Sequence, residues 1–201
     1  LKQSRSLCSL TIELRTPGMY LSKMSMCPPY AIYKSVLVLD AGAPGIGASS
    51  RNGGMVGGGQ GAFIGGLHRI AARLDGQWSL VAGSLSSEPA RAAISAAELG
   101  IAPDRSYADF AQMASAEAAR SDGIDAVAIV TPNHVHFPAA KAALEAGFHV
   151  LSDKPATFDL AEAKALQALV KKTGLLYGLT HNYTGYPLVK EAKDMIAAGK
   201  L

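Results

Sequence analysis

IDAVAIVTPNHVHFPAAKAALEAGFHV, residues 124–150, is the stretch on which the fold turns. Ile124–Val130 is almost wholly apolar, the composition of a strand buried on both faces. Thr131, Pro132 and Asn133 interrupt it. His136–Ala146 reads as a helix capped at Gly147, because glycine accepts the left-handed backbone that closes a helix. His149–Ser152 then opens a second strand. A strand, a helix and a strand joined by short connections make the unit that links parallel neighbours in a sheet.

The same alternation extends in both directions. Upstream, Ile64–Leu74 reads as a helix, Trp78–Gly83 as a strand and Glu88–Leu99 as an alanine-rich helix ending at Gly100; Ser106–Ala119 holds one or two short helices anchored by Tyr107 and Phe110. Downstream, Asp159–Lys172 is a helix with Asp159 as its N-cap and Lys171 and Lys172 at the negative end of its dipole, stopped by Gly174. Leu175–Thr180 is a strand and Pro187–Ala198 a last helix. This order predicts an α/β fold, a doubly wound parallel sheet with helices on both faces. Ligands of such sheets bind at the carboxyl ends of the strands, so chemistry is sought just after each strand.

Composition narrows the functional classes. A chain of 201 residues, 49% apolar and 17% charged, suits a globular domain with a real core. No apolar run approaches the length of a membrane span. The net charge of +3 comes entirely from residues 1–50, which carry five Lys/Arg and two Asp/Glu, while residues 51–201 carry fourteen of each. That balance argues against a nucleic-acid surface. Cys8 and Cys27 fall in the same front quarter, which has no apolar core of a secretory signal and no sustained period, so the chain is expected to be cytoplasmic.

The first candidate site is Met55–Gly65, MVGGGQGAFIG, within a region holding eleven of the 21 glycines between Gly42 and Gly66. Gly57, Gly59 and Ala62 satisfy G-x-G-x-x-G/A, and Gly57, Gly59, Gln60, Gly61, Ala62 and Phe63 together form a loop whose N–H groups and following helix start can hold a pyrophosphate. A flexible linker is the alternative for this segment alone. Arg51-Asn52-Gly53-Gly54 stands where the strand before the loop should lie, and it has no β-branched residue. After Trp78–Gly83, an acid is expected to receive ribose hydroxyls, yet Ser84-Leu-Ser-Ser-Glu-Pro89 follows. Ser86 and Ser87 either donate to a ribose or a 2′-phosphate or merely cap the next helix, and with no carboxylate there little repels NADP.

Three more edges carry polar residues. Thr131, Pro132, Asn133 and His136 line the crevice after the best strand; for His134 and His136 the alternative is ordinary polarity at a helix start, and a metal site is not expected without accompanying carboxylates or thiols. Asp153-Lys154-Pro155 follows the next strand, where a lysine whose pKa is lowered by burial or by a nearby positive charge can transfer a proton. His181, Asn182 and Tyr183 close the last edge, as a pocket floor or as surface capping.

From about Gly54 to Leu201 these motifs resemble the glucose-fructose oxidoreductase, inositol dehydrogenase and MocA family of NAD(P)-dependent oxidoreductases. SDKPATFDLAEA, residues 152–163, looks like that family's EKP motif with Asp153 in place of glutamate. The resemblance implies a Rossmann domain binding NAD or NADP and a catalytic Lys154 beside the nicotinamide. It further implies that Asp153 meets a cofactor ribose and that Thr131, Pro132 and Asn133 border the cofactor. The implied substrate is a sugar, inositol or related polyol oxidised at a secondary hydroxyl. A second domain, which would begin just after Leu201, is expected to supply much of the substrate site and any homo-oligomer interface. Residues 1–53 are read as an irregular leader joined by fusion, recombination or a gene-model scar, because Ser35–Val56 is instead similar to a strand and loop of FAD-dependent amino-acid oxidases. Three functions follow for testing: a dehydrogenase of which this is the cofactor half, a nucleotide-binding fragment without turnover, and an FAD-dependent amine oxidase fragment.

Overall fold

The computed structural model describes residues 51–74, 76 and 78–201. The leader, apart from residues 51–53, lies outside the described residues, as do both cysteines and most of the stretch similar to FAD oxidases. Five strands, β1 (Arg51–Gly57), β2 (Trp78–Ser84), β3 (Ala126–Val130), β4 (His149–Ser152) and β5 (Tyr177–Leu179), form one sheet in the order β2-β1-β3-β4-β5. Every pair is parallel. The helices are α1 (Phe63–Arg73), α2 (Pro89–Glu98), α3 (Phe110–Ala118), α4 (Asn133–Glu145), α5 (Leu160–Thr173) and α6 (Pro187–Ala197).

Neighbouring strand residues point to opposite faces, and here each face has its own core. Val56 and Ile129 join Met113, Ala140, Leu144 and Leu166 from α3, α4 and α5. Met55 and Val130, next to them in sequence, join Leu85, Ala96 and Ile101, with Ile64 of α1 packed alongside. The sheet is thus covered on both sides, as the alternation predicts. Ala139, Ala140 and Ala143 are at most 2% exposed, and their small size lets α4 lie close on β3 and β4.

Two elements depart from the sequence expectation. β1 begins at Arg51, within the glycine-rich segment that lacks strand-forming residues. Tertiary partners make it a strand. It pairs with β2 on one side and β3 on the other. Asn52 also gives and receives hydrogen bonds: its N–H donates to Asp125 Oδ2 at 3.0 Å and its Nδ2 to Asp122 O at 2.9 Å, and its carbonyl accepts from Asp125 N–H at 2.8 Å. α4 begins at Asn133, three residues before the expected His136, because Pro132 (φ −59°, ψ 149°) already sets the backbone for a helix start. Pro138 sits inside α4, where the buried alanine face holds the helix despite the missing N–H. α5 follows expectation closely: the Asp159 side chain accepts from Glu162 N–H, and Gly174 (φ 67°) ends the helix. α6 has no buried residue, and Leu188, Val189 and Ile196 stand in water. No helix among the described residues is long and apolar enough to cross a membrane.

A buried polar group ties the turn at Pro103–Arg105 to α3. Glu117, 1% exposed, accepts two hydrogen bonds from the Arg105 guanidinium, the one from Nε at 3.0 Å, and a third from Tyr107 OH at 2.8 Å. Tyr107 N–H in turn donates to Gly83 O at the end of β2. Burial first, then the hydrogen bond to Glu117 and its charge, push the Tyr107 phenol from 10.0 up to about 12. Between those two values the unfolded chain holds fewer protons than the folded one, so stability falls as pH rises through that window. Urea unfolding across pH 9–12 is expected to show this loss in the parent chain, and Tyr107→Phe is expected to flatten it.

Candidate functional site

Parallel pairing brings the polar strand ends together. Gly57 pairs with Val130, Ile129 with Ser152 and Ser152 with Leu179. Carried past the strands, the same register sets Gly58, Thr131, Lys154 and His181 in one row along the carboxyl edge. Strands lie about 4.8 Å apart, so Gly58 and Lys154 are separated by about 10 Å across β3. The order changes direction between β1 and β3, which is the switch point where such sheets bind ligands.

The loop after β1 is built from close approaches. Gly57 and Gly58 take φ of 79° and 73°, which other residues rarely adopt. The contact that lets α1 start directly behind them is made by Gly65, where an added Cβ would stand 2.5 Å from Gly58 Cα. In sequence, the consensus spacing assigns the third position to Ala62, but Ala62 is only the N-cap of α1. The packing task falls three residues later. A glycine-dense stretch satisfies the consensus in more than one register, which is why pattern alone missed it.

Hydrogen bonds hold the loop from below. Gly59 N–H donates to Leu85 O, Gln60 N–H to Ser95 Oγ (2.9 Å) and Gln60 Nε2 to Glu98 Oε1 (3.1 Å). Arg69 Nη1 donates to Gly58 O at 2.8 Å. Between the loop and α2 lies a cavity of about 290 Å³ lined by Gly58–Phe63, Arg69, Ser95, Glu98 and Leu99. Thr131, Asp153 and Lys154 do not line it. α1 starts with no side-chain cap and no acid in its first turn, so its positive end faces outward uncompensated.

The remaining candidates divide. Ser86 Oγ accepts from Glu88 N–H in a turn before α2, whose N-cap is Glu88 with no side-chain cap, so neither serine caps the helix, and Ser87 is exposed. Thr131 Oγ1 is buried and has no hydrogen-bond partner, a polar atom left for something the chain does not supply. Pro132 and Asn133 are exposed at the start of α4. Asp153 is fixed: its N–H donates to Ile129 O, and its Oδ1 accepts from Thr180 Oγ1. Lys154 is exposed and its ammonium pairs with nothing among the described residues, so burial does not surround it as the sequence reading expects. His181, Asn182 and Tyr183 are exposed at the neighbouring edge, with Tyr183 edge-on to Tyr186 at 5.5 Å.

His136 is the correction. Sequence reading sets it in the crevice, but it is 1% exposed, with Nε2 2.9 Å from Thr131 O and Nδ1 against Pro155 O. Both ring nitrogens are engaged with backbone, and no edge is left for a ligand. Conversely, sequence reading passed over Arg69, Ser95, Glu98 and Thr180 as site residues. His68 on α1 belongs with them: burial lowers its imidazole below the ordinary value, and the Asp153 charge acts the other way. Among the described residues no cluster of His, Cys, Asp or Glu could hold a metal ion.

Comparison with known proteins bears on this arrangement. Residues 51–181 match the oxidoreductase family described by its NAD-binding Rossmann fold. The uncharacterized oxidoreductase YfiI of Bacillus subtilis (strain 168) is 38% identical over 148 residues, covering 73% of this chain and 38% of that protein. The crystal structure of an oxidoreductase from Sinorhizobium meliloti is similar at 55% identity with a TM-score of 0.68, over 76% of this chain and 42% of that one. An inositol dehydrogenase homolog from Azotobacter vinelandii, crystallised with NADH and myo-inositol, is similar at 42% identity with a TM-score of 0.72, over 77% of this chain and 41% of that one. The chain therefore spans about two fifths of the length of these relatives.

The glycine packing makes a paired prediction. Gly65→Ala forces α1 against the Gly58 backbone and is expected to cost about 1–3 kcal/mol in urea unfolding. Gly66→Ala, whose Cβ would meet nothing nearer than Arg69 Nη2 at 3.9 Å, is expected to leave stability unchanged or raise it.

Proposed function

Because the chain belongs to the oxidoreductase family with the NAD-binding Rossmann fold, we propose that it is the cofactor-binding part of a dehydrogenase acting on a secondary hydroxyl of an inositol, sugar or related polyol. The observation that carries this reading is the row along the carboxyl edge, where the strand register sets the loop before α1, Thr131 with its unpartnered hydroxyl and the exposed Lys154 side by side. The myo-inositol and NADH bound to the Azotobacter homolog support the substrate class and the cofactor.

The residues fit a dinucleotide. In the cradle of Gly57, Gly59, Gln60, Gly61, Ala62 and Phe63 the N–H groups of Gly59, Gln60 and Ala62 are taken by Leu85 O, Ser95 Oγ and Gly59 O, so those of Gly61 and Phe63 at the start of α1 are the ones to meet a pyrophosphate, and side chains at Gly57 and Gly59 would collide with Val130 O and Leu85 O. Thr131 Oγ1 gains the partner it lacks, and Pro132 and Asn133 flank it. Asp153 Oδ2 is free to accept from a ribose hydroxyl while Thr180 holds Oδ1. Ser87 is assigned to the adenosine end, and serine in place of an acid at the end of β2, with Glu88 the first carboxylate beyond it and paired with Arg91, supports acceptance of NADP beside NAD. A bound nicotinamide would supply the hydride acceptor. Lys154 Nζ, in its neutral amine form, takes the hydroxyl proton as the carbinol carbon gives up hydride, and loss of both leaves a carbonyl. His181, Asn182 and Tyr183 border the substrate side.

The cofactor domain in this reading begins at Arg51 rather than at the expected Gly54, because Arg51–Gly53 belong to β1, and residues 1–50 are a leader of separate origin. The water-exposed Leu188, Val189 and Ile196 of α6 support a second domain packing there, which would cover Lys154, complete the pocket and carry any self-association. The protein is read as cytoplasmic, with a small-molecule substrate and no nucleic-acid or membrane partner. A nucleotide-binding role without turnover is the second reading, favoured by the exposure of Lys154.

Fluorescence titration with NADH and NADPH, followed by turnover assays with myo-inositol and a sugar panel, separates these readings. Binding of both cofactors with dissociation constants within about tenfold of each other is expected, and Ser87→Asp is expected to weaken NADPH alone, by about tenfold. With turnover present, Lys154→Met is expected to lower kcat by about 10²–10⁴-fold while leaving cofactor affinity nearly unchanged. Cofactor binding with no turnover on any polyol selects the second reading. Flavin absorbance in the purified protein selects the FAD oxidase fragment.

A further inference from the structure

We propose that His136 is the positioning residue for Lys154, acting through the Pro155 carbonyl; the inference rests on the reading of Lys154 as the proton acceptor. His136 lies in the first turn of α4, 1% exposed, beneath the carboxyl edge of the sheet. Its Nε2 stands 2.9 Å from Thr131 O, the residue that ends β3. Its Nδ1 meets Pro155 O, on the residue directly after Lys154. One ring therefore spans the two loops that bring Thr131 and Lys154 to the crevice.

Among the described residues the next hold on the C-terminal side of Lys154 is one residue further, where Tyr177 OH donates to Ala156 O at 3.5 Å. Asp153, before it, is tied to β3 and to Thr180. Lys154 itself is exposed and its ammonium pairs with no described residue. With Asp153 anchored on one side and Pro155 held by His136 on the other, the peptide carrying Lys154 is clamped at both ends while its side chain stays free to meet a substrate. Both carbonyl oxygens can only accept, so the ring supplies the N–H of each hydrogen bond it makes, and the bridge to Pro155 requires hydrogen on Nδ1.

Two substitutions separate the halves of this bridge. Asparagine places its amide near the position of Nδ1 and retains reach to Pro155; glutamine places its amide near Nε2 and retains reach to Thr131. Both remove the ring equally, so a merely packing role predicts the same outcome for each. The readout needs no turnover: the rate at which trinitrobenzenesulfonate labels Lys154 in the full chain, followed by peptide mass spectrometry with NADH present and absent. His136→Asn is expected to label at the parent rate. His136→Gln is expected to label about fivefold faster, the ratio that losing one net hydrogen bond sets. Equal rates in the two variants, whether at the parent value or above it, would overturn the proposal. Should either variant not fold, the ¹⁵N shifts of the His136 ring in the unsubstituted chain decide: hydrogen on Nδ1 supports the bridge to Pro155, and hydrogen on Nε2 alone refutes it. Full turnover by Lys154→Met would instead sink the proton-acceptor reading, whatever the labelling rates.

Discussion

Parallel pairing is the constraint on which the site depends. Because every strand of the sheet runs in one direction, all five carboxyl ends meet on one edge, and residues distant in sequence become neighbours there. Gly58, Thr131 and Lys154 are adjacent only through the register of β1 on β3 and of β3 on β4. A slip of one residue in either ladder would turn the inward side chains of a strand outward and separate the row. The two cores, one on each face, guard against that slip, since Met55 and Val56, or Ile129 and Val130, must each find the correct side.

Backbone dominates the crevice. The loop after β1 offers little side-chain chemistry; it offers close approach, secured where Gly65 meets Gly58 and where Ser95, Glu98 and Arg69 hold the loop from beneath. At the next edges the same economy appears in another form. Thr131 and Pro155 are tied through their carbonyls to a buried ring, leaving the Thr131 hydroxyl and the Lys154 amine uncommitted.

How much of this was legible in sequence follows from the range of each signal. Local signals read well. The apolar run of Ile124–Val130, the Asp159 cap and the Gly174 stop all depend on a few consecutive residues, and the structure places strand, cap and stop accordingly. Features made by distant partners did not read. Arg51–Gly54 has no intrinsic strand tendency and becomes β1 because β2, β3 and the Asp125 carboxylate receive it. The third glycine of the loop was placed at Ala62 by spacing, whereas its packing role is defined by contact with Gly58 and belongs to Gly65. His136 looked like a crevice residue because its neighbours are; only the fold shows its ring turned under them. Thr180 and His68 could not be connected with Asp153 before the sheet was closed.

The buried group of Arg105, Glu117 and Tyr107 has a consequence for how this sequence can drift. Glu117 depends on Arg105 for its counter-charge, so losing Arg105 alone strands a carboxylate without water. Arg105 is less dependent, because its Nη1 also stands 3.5 Å from Asp122 Oδ2. An apolar trio of similar volume could pack in the same space, and the path to it that avoids an isolated interior charge replaces Glu117 before Arg105. The connection between α2 and α3 is therefore held in place by the order in which substitutions would have to occur, and relatives that keep Glu117 are expected to keep Arg105.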